Sequence, residues 1–151
     1  MYKYKKIKSL YLLSIFFFNN VTATEVAVPA PDCLLKRIND QQLTRLTDFK
    51  SQVLYVDFWA SWCGPCTASF PFMNKMHEEF KEQGLKILAV NLDEVATDAF
   101  GFLKRIPAEF DVLFDAEMKC AKSFDVKAMP SSYLIDRSGV IRQVHIGFRA
   151  G

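Results

Sequence analysis

The run QVLYVDFWA, Gln52 to Ala60, is short, β-branched, aromatic and almost wholly apolar, and three residues after it comes the first of two cysteines, Cys63 and Cys66. A run of this length and composition reads as a strand buried on both faces. The following segment, CTASFPFMNKMHEEFKEQG, spaces Phe70, Met73, Met76 and Phe80 at helical intervals and stops at Gly84, a natural C-terminal cap. Pro71 lies inside it and predicts a kink. LKILAVNLD then reads as a second apolar strand. Strand, helix and strand joined at this length form a right-handed parallel crossover, so the chain belongs to the α/β class. The Met and Phe residues of the helix are read as core against the sheet.

The rest of the chain extends this unit. Between Glu94 and Met129 the pattern predicts a helix over ATDAFGFLKRI, a short strand over FDVLFD and a second helix over AEMKCAKSF. SSYLIDRSGVIRQVHIGF then gives two alternating runs around Asp136–Gly139, the signature of a hairpin. With 151 residues, half of them apolar, there is room for one domain with a substantial core. Residues 1–23 begin with Lys3, Lys5, Lys6 and Lys8, continue through an apolar stretch from Leu10 to Phe18, and end on the small residues Val21, Thr22 and Ala23. These are the three parts of a secretory signal, too short in its apolar core to span a bilayer; kept uncleaved, the segment would serve as an anchor. Residues 24–32 read as an extended leader and 33–151 as the folded domain. The formal charge of +2 rests on those four lysines. Past them acids outnumber bases by two, so no nucleic-acid partner is implied. Export would place the domain in an oxidising, periplasmic or other extracytoplasmic compartment where disulfides persist.

The cysteine pair admits several chemistries. Thiol exchange needs a thiolate, and an ordinary cysteine with a pKa of about 8.5 is mostly protonated at neutral pH. A sulfur placed where a strand passes into a helix meets unpaired amide N–H groups and the positive end of the helix dipole, which lower that value. Cys63 is therefore the expected nucleophile. Cys66, one turn on and more buried, is the expected resolving thiol. Pro65 supplies a φ suited to a first helical turn, and Gly64 leaves the attacking sulfur open. A zinc site would need a second ligand pair, but Cys33, Cys120, His77 and His145 are scattered. Covalent haem attachment needs His after the second cysteine, where Thr67 stands. A purely structural staple would close a ring too short to stabilise much. Cys33 and Cys120 are read as two independent core thiols, with a Cys33–Cys120 disulfide as the alternative.

VDFWASWCGPC followed by AMPSSYLID resembles the thioredoxin superfamily, and with YLIDRSGVIRQVHIGF it is similar to the TlpA/ResA-like thiol:disulfide oxidoreductases. The resemblance implies a thioredoxin-like fold, a central mixed sheet flanked by helices, with the αβ insertion placed before a cis-proline. It implies that Pro130 is that cis-proline facing the thiols, that backbone groups of Met129 bind an extended substrate, and that Trp62 lines the docking surface. Asp57 matches a buried acid that takes the proton of Cys66 during exchange. The lysine that accompanies such an acid is replaced by Ala89, and the Pro-Glu-Thr pattern of cytochrome c maturation reductases by Pro130-Ser131-Ser132. Family members carry one more helix after the last strand, whereas this chain stops at Gly151, so either the sequence is a fragment or the final helix is missing.

Gly-Pro between the cysteines is the dipeptide of reducing members, with potentials near about −270 mV, whereas strong oxidants lie near about −120 mV. The expected activity is reduction of disulfides in exported proteins, by a monomer that uses its own dithiol and no separate cofactor and is re-reduced by a membrane electron donor. Clients in cytochrome c or respiratory oxidase maturation follow from the resemblance. A disulfide oxidase or isomerase, and a non-catalytic binding module or copper chaperone, are the alternatives.

Overall fold

The computed structural model describes residues 27–149, so the proposed signal segment and most of its junction with the leader lie outside the described residues. The strands are β1 (Val28–Pro29), β2 (Leu34–Arg37), β3 (Leu43–Arg45), β4 (Val53–Trp59), β5 (Leu85–Asn91), β6 (Asp111–Phe114), β7 (Ser131–Ile135) and β8 (Val140–Ile146). The helices are α1 (Cys66–Phe80), α2 (Ala96–Arg105) and α3 (Lys119–Ser123). All eight strands form one sheet in the order β1-β8-β7-β4-β5-β6-β2-β3. β4, β5 and β6 run parallel, while β7 and β8 add antiparallel on one side and β2 and β3 on the other.

The apolar run in β4 is continuous because both faces are covered. Leu54, Val56 and Phe58 point into one core with Leu88, Val90, Leu113, Phe124 and Tyr133. Trp59 points into the other, with Ile87, Ala89, Phe70, Met73 and Phe102. The second core carries α1. Trp59, Phe70 and Phe102 stack mutually at centroid distances of 4.7, 4.7 and 4.9 Å, and Phe110 joins Phe70 at 5.5 Å. Each such pair adds about 0.5–1.5 kcal/mol beyond its burial. The start of the helix, where the thiols lie, is thereby held against the end of β4.

The crossover unit, the insertion and the Asp136–Gly139 hairpin are as the sequence predicts. Gly84 ends α1 and a following short 3-10 turn at φ 89°, a left-handed cap that favours glycine. α1 passes through Pro71 as a single helix, the ring giving up one backbone bond without ending it. Of the four residues read as core on this helix, Phe70 and Met73 are buried and Met76 packs at the margin, but Phe80 is exposed at the helix end. Residues 147–149 follow β8 without a further helix among the described residues.

Three features depart from the sequence reading. The leader is not wholly separate from the domain, since Val28 and Pro29 pair with Ile141 and Val140. Leu34–Arg37 and Leu43–Arg45 form a hairpin that extends the sheet beyond β6. Cys33 and Cys120 are joined in a disulfide with Cα atoms 5.5 Å apart, and are not two separate core thiols. The cause is topological: β2 pairs with β6, and α3 follows β6, so residues 87 positions apart meet. Closing so long a loop stabilises the fold by about 4–5 kcal/mol in the chain-entropy account.

Candidate active site

β4 ends at Trp59, and the chain turns sharply before α1 begins. The Cys63 amide donates to Ala60 O at 3.1 Å, the Cys66 amide to Cys63 O at 3.1 Å, and the Thr67 amide to Gly64 O at 3.1 Å. α1 starts at Cys66, so Cys63 lies just ahead of the first turn and Pro65 at the capping position, one residue earlier than a first-turn proline. No side chain caps this terminus and no acid sits in its first turn, so neither offsets the positive end of the dipole. Cys63 and Cys66 form a disulfide with Cα atoms 5.4 Å apart. Cys63 retains 5% exposure and Cys66 none, the order expected of an attacking and a resolving sulfur.

Trp62 is 72% exposed beside the pair. A Cβ added at Gly64 would meet nothing within 4 Å, and its φ is not in the left-handed region. Neither crowding within the chain nor backbone conformation therefore calls for glycine there.

The loop that ends at Pro130 packs against the same region. Met129 contacts both cores, including the cluster that holds Cys63 and Cys66, and the Met129–Pro130 peptide is cis. Pro130 O accepts from the Gly147 amide at 2.7 Å and the Ser131 hydroxyl donates to Ala128 O at 2.6 Å, fixing the loop at both ends. Among the described residues, neither backbone group of Met129 is hydrogen-bonded. An unpaired N–H and C=O beside the thiols is what an added strand needs.

Asp57 lies on the thiol-side face of β4, the same face as Trp59, and is 1% exposed. Its Oδ1 accepts from the Ser132 hydroxyl at 2.7 Å, while Oδ2 is buried without a partner. Directly opposite on β5 is Ala89. Burial raises the carboxyl pKa to about 7, against a smaller lowering by the Ser132 bond. An acid poised there changes protonation in the range where thiols exchange.

One part of the site was missed by sequence reasoning. Asp93, just past β5, is buried and receives the Ser61 amide at 3.1 Å on each oxygen, the Ser61 hydroxyl at 3.0 Å and the Asn91 side-chain amide at 2.9 Å. Its own amide donates to Asn91 Oδ1 at 3.1 Å. This network ties the turn that carries Trp62 and Cys63 to the end of the neighbouring strand. Its sequence trace is two polar residues, Asn91 and Asp93, closing an otherwise apolar strand. His145 lies on β8 and His77 on α1, and among the described residues no cluster of three or more His, Cys, Asp or Glu side chains could hold a metal ion.

Comparison with known proteins agrees with this geometry. The profile of the AhpC/TSA family matches residues 26–144. The thiol-disulfide oxidoreductase ResA of Geobacillus kaustophilus is 31% identical over 137 residues, which cover 91% of this chain and 78% of that protein. The crystal structure of a protein described as thiol:disulfide interchange protein DsbE, from Chlorobium tepidum, superposes with a TM-score of 0.79 at 45% identity, covering 83% of this chain and 87% of that one. The thioredoxin domain of a Bacteroides vulgatus thiol-disulfide oxidoreductase shares the fold, with a TM-score of 0.76 at 21% identity over 82% and 89% of the two chains. A thiol pair at an uncapped helix start, a cis-proline loop packed beside it and relatives of this kind lead to one assignment: the chain belongs to the AhpC/TSA family, among the ResA-like thiol:disulfide oxidoreductases of thioredoxin fold.

Proposed function

We propose that this thiol:disulfide oxidoreductase works in the reducing direction on disulfides of exported proteins. The Cys63 thiolate attacks one sulfur of a client disulfide, the client S–S bond breaks, and the departing client thiolate takes a proton from solvent. Cys66 then gives its proton to the Asp57 carboxylate and attacks the Cys63 sulfur. The mixed disulfide breaks, the second client thiolate leaves, and the enzyme is left with the Cys63–Cys66 disulfide. Two electrons have passed to the client, and a membrane electron donor restores the dithiol. No separate cofactor enters, because the two sulfurs carry the electrons.

The observation that supports this reading best is the thiol pair at a helix start with neither a capping side chain nor an acid, which favours the thiolate of Cys63. Met129 would pair with an extended client segment through its free backbone groups, and Trp62, Gly64, Pro65 and Pro130 would form the surface against which it lies. The Gly-Pro dipeptide supports the reducing direction. Clients in cytochrome c or respiratory oxidase maturation fit an exported reductase of the ResA kind, as does an extracytoplasmic location set by residues 1–23. Equilibration with glutathione tests direction: a potential below about −200 mV is expected, and one above it would make the protein an oxidase or isomerase. Cys63→Ser should abolish insulin reduction. Retained reduction would remove the thiol mechanism altogether.

A further inference from the structure

We infer that Ser132 is a positioning residue for proton transfer, its hydroxyl holding one oxygen of Asp57 so that the other remains the proton acceptor for Cys66. The inference rests on the role proposed above for Asp57 and assigns the group that controls it. Ser132 lies on β7, two residues beyond Pro130, and stands opposite Asp57 in the β4–β7 register. Both side chains are buried, and their oxygens are 2.7 Å apart. Among the described residues Ser132 is the donor that reaches this carboxylate, because the facing position on β5 is Ala89 and Oδ2 has no partner.

Two consequences follow from that single bond. Occupying Oδ1 removes one of two competing proton sites and orients the carboxyl plane, leaving Oδ2 to exchange the proton. Donation to the charged form also opposes the burial that disfavours it, so the hydroxyl performs, without charge, the service of a neighbouring cation. The titratable groups on this side of the sheet are Tyr55, two residues back on β4, the thiol pair at the α1 terminus, and His145 on β8, which pairs with Ser132 on the far side from Asp57, while Lys75 of α1 and Arg149 line the cavity shared by Tyr55 and His145. Burial raises the Tyr55 pKa against a smaller lowering by the Ser132 hydroxyl, so Tyr55 stays neutral and Ser132 lies within reach of both side chains. Burial and the Ser132 bond are the influences that set the Asp57 carboxyl, so control falls to the hydroxyl.

The test compares wild type, Ser132→Ala, Ser132→Thr and Asp57→Asn by two readouts: carbon-13 NMR titration of the Asp57 carboxyl in the oxidised protein, and the pH profile of insulin reduction. Losing a hydrogen bond to a charged group moves a pKa by about one pH unit or more. Ser132→Ala should therefore titrate at least that much higher, reduce insulin about fivefold more slowly at pH 7, and recover near pH 9. Ser132→Thr, which keeps the hydroxyl, should restore the wild-type midpoint. An unmoved carboxyl resonance in Ser132→Ala, or no restoration by threonine, overturns the inference. An Asp57→Asn profile identical to wild type overturns instead the role of Asp57 in the reaction, so the two failures are told apart.

Discussion

Replacing Asp57 with Asn should make the protein more stable at alkaline pH, and the magnitude follows from the burial of the carboxyl. Its pKa is about 7 in the folded chain against an ordinary 3.8. Between those values the native state holds a proton that the unfolded state has released, so stability falls as pH rises through that window. The contribution is fully present below about pH 3.8 and gone above about pH 7. A difference of about three pH units at 1.36 kcal/mol each corresponds to about 4 kcal/mol. Because the side chain is almost wholly out of solvent, screening does not reduce this figure. Asparagine has nearly the same shape and no charge to bury, and the Ser132 hydroxyl can still donate to its oxygen. Urea unfolding of the two oxidised proteins from pH 4 to pH 8.5 measures the effect. The two should be similar near pH 4, and the variant should lead by about 4 kcal/mol at pH 8. Every other titrating group cancels in the comparison. Parallel stability curves would refute the argument, because they would mean that the carboxyl ionises as readily folded as unfolded.

Cys33→Ser should lower stability by about 4 kcal/mol through loss of the 87-position loop closure, while thiol exchange at Cys63 continues; chemical denaturation paired with an insulin assay reads both. Asp93→Ala leaves the Ser61 amide and the Asn91 side chain without their acceptor, at a cost of about 1–3 kcal/mol, and should loosen the Cys63 turn enough to slow reduction, as denaturation and kinetics would report. Trp62→Ala, at an exposed position, should leave the unfolding midpoint nearly unchanged and raise KM for a protein disulfide.

The parts of the molecule legible in the sequence are those governed by local periodicity. β4, α1 and β5 follow from an apolar run, helical spacing and Gly84, and the hairpin of β7 and β8 from its turn residues. The thiols could be placed because a strand passing into a helix is itself a local pattern, visible as the apolar run before Cys63 and the helical spacing after Cys66. What stayed hidden depends on register between distant segments. The Ser132 bond to Asp57 joins residues 75 positions apart, and the Ser61–Asp93 contact joins residues 32 apart. Neither leaves a periodic trace. Cys33 and Cys120 looked like independent core residues for the same reason: their meeting depends on β2 adding beside β6. β1 and β3 escaped notice because two or three residues are too few to show alternation.

The proposed chemistry depends on the junction of β4 with α1 making the Cys63 sulfur acidic. Titration of the reduced protein by ultraviolet thiolate absorbance, with Cys66→Ala to isolate the signal, measures this directly. The expected Cys63 pKa is about 7.5 or lower. A Cys63 that titrates near about 8.5, as a free cysteine does, would contradict it.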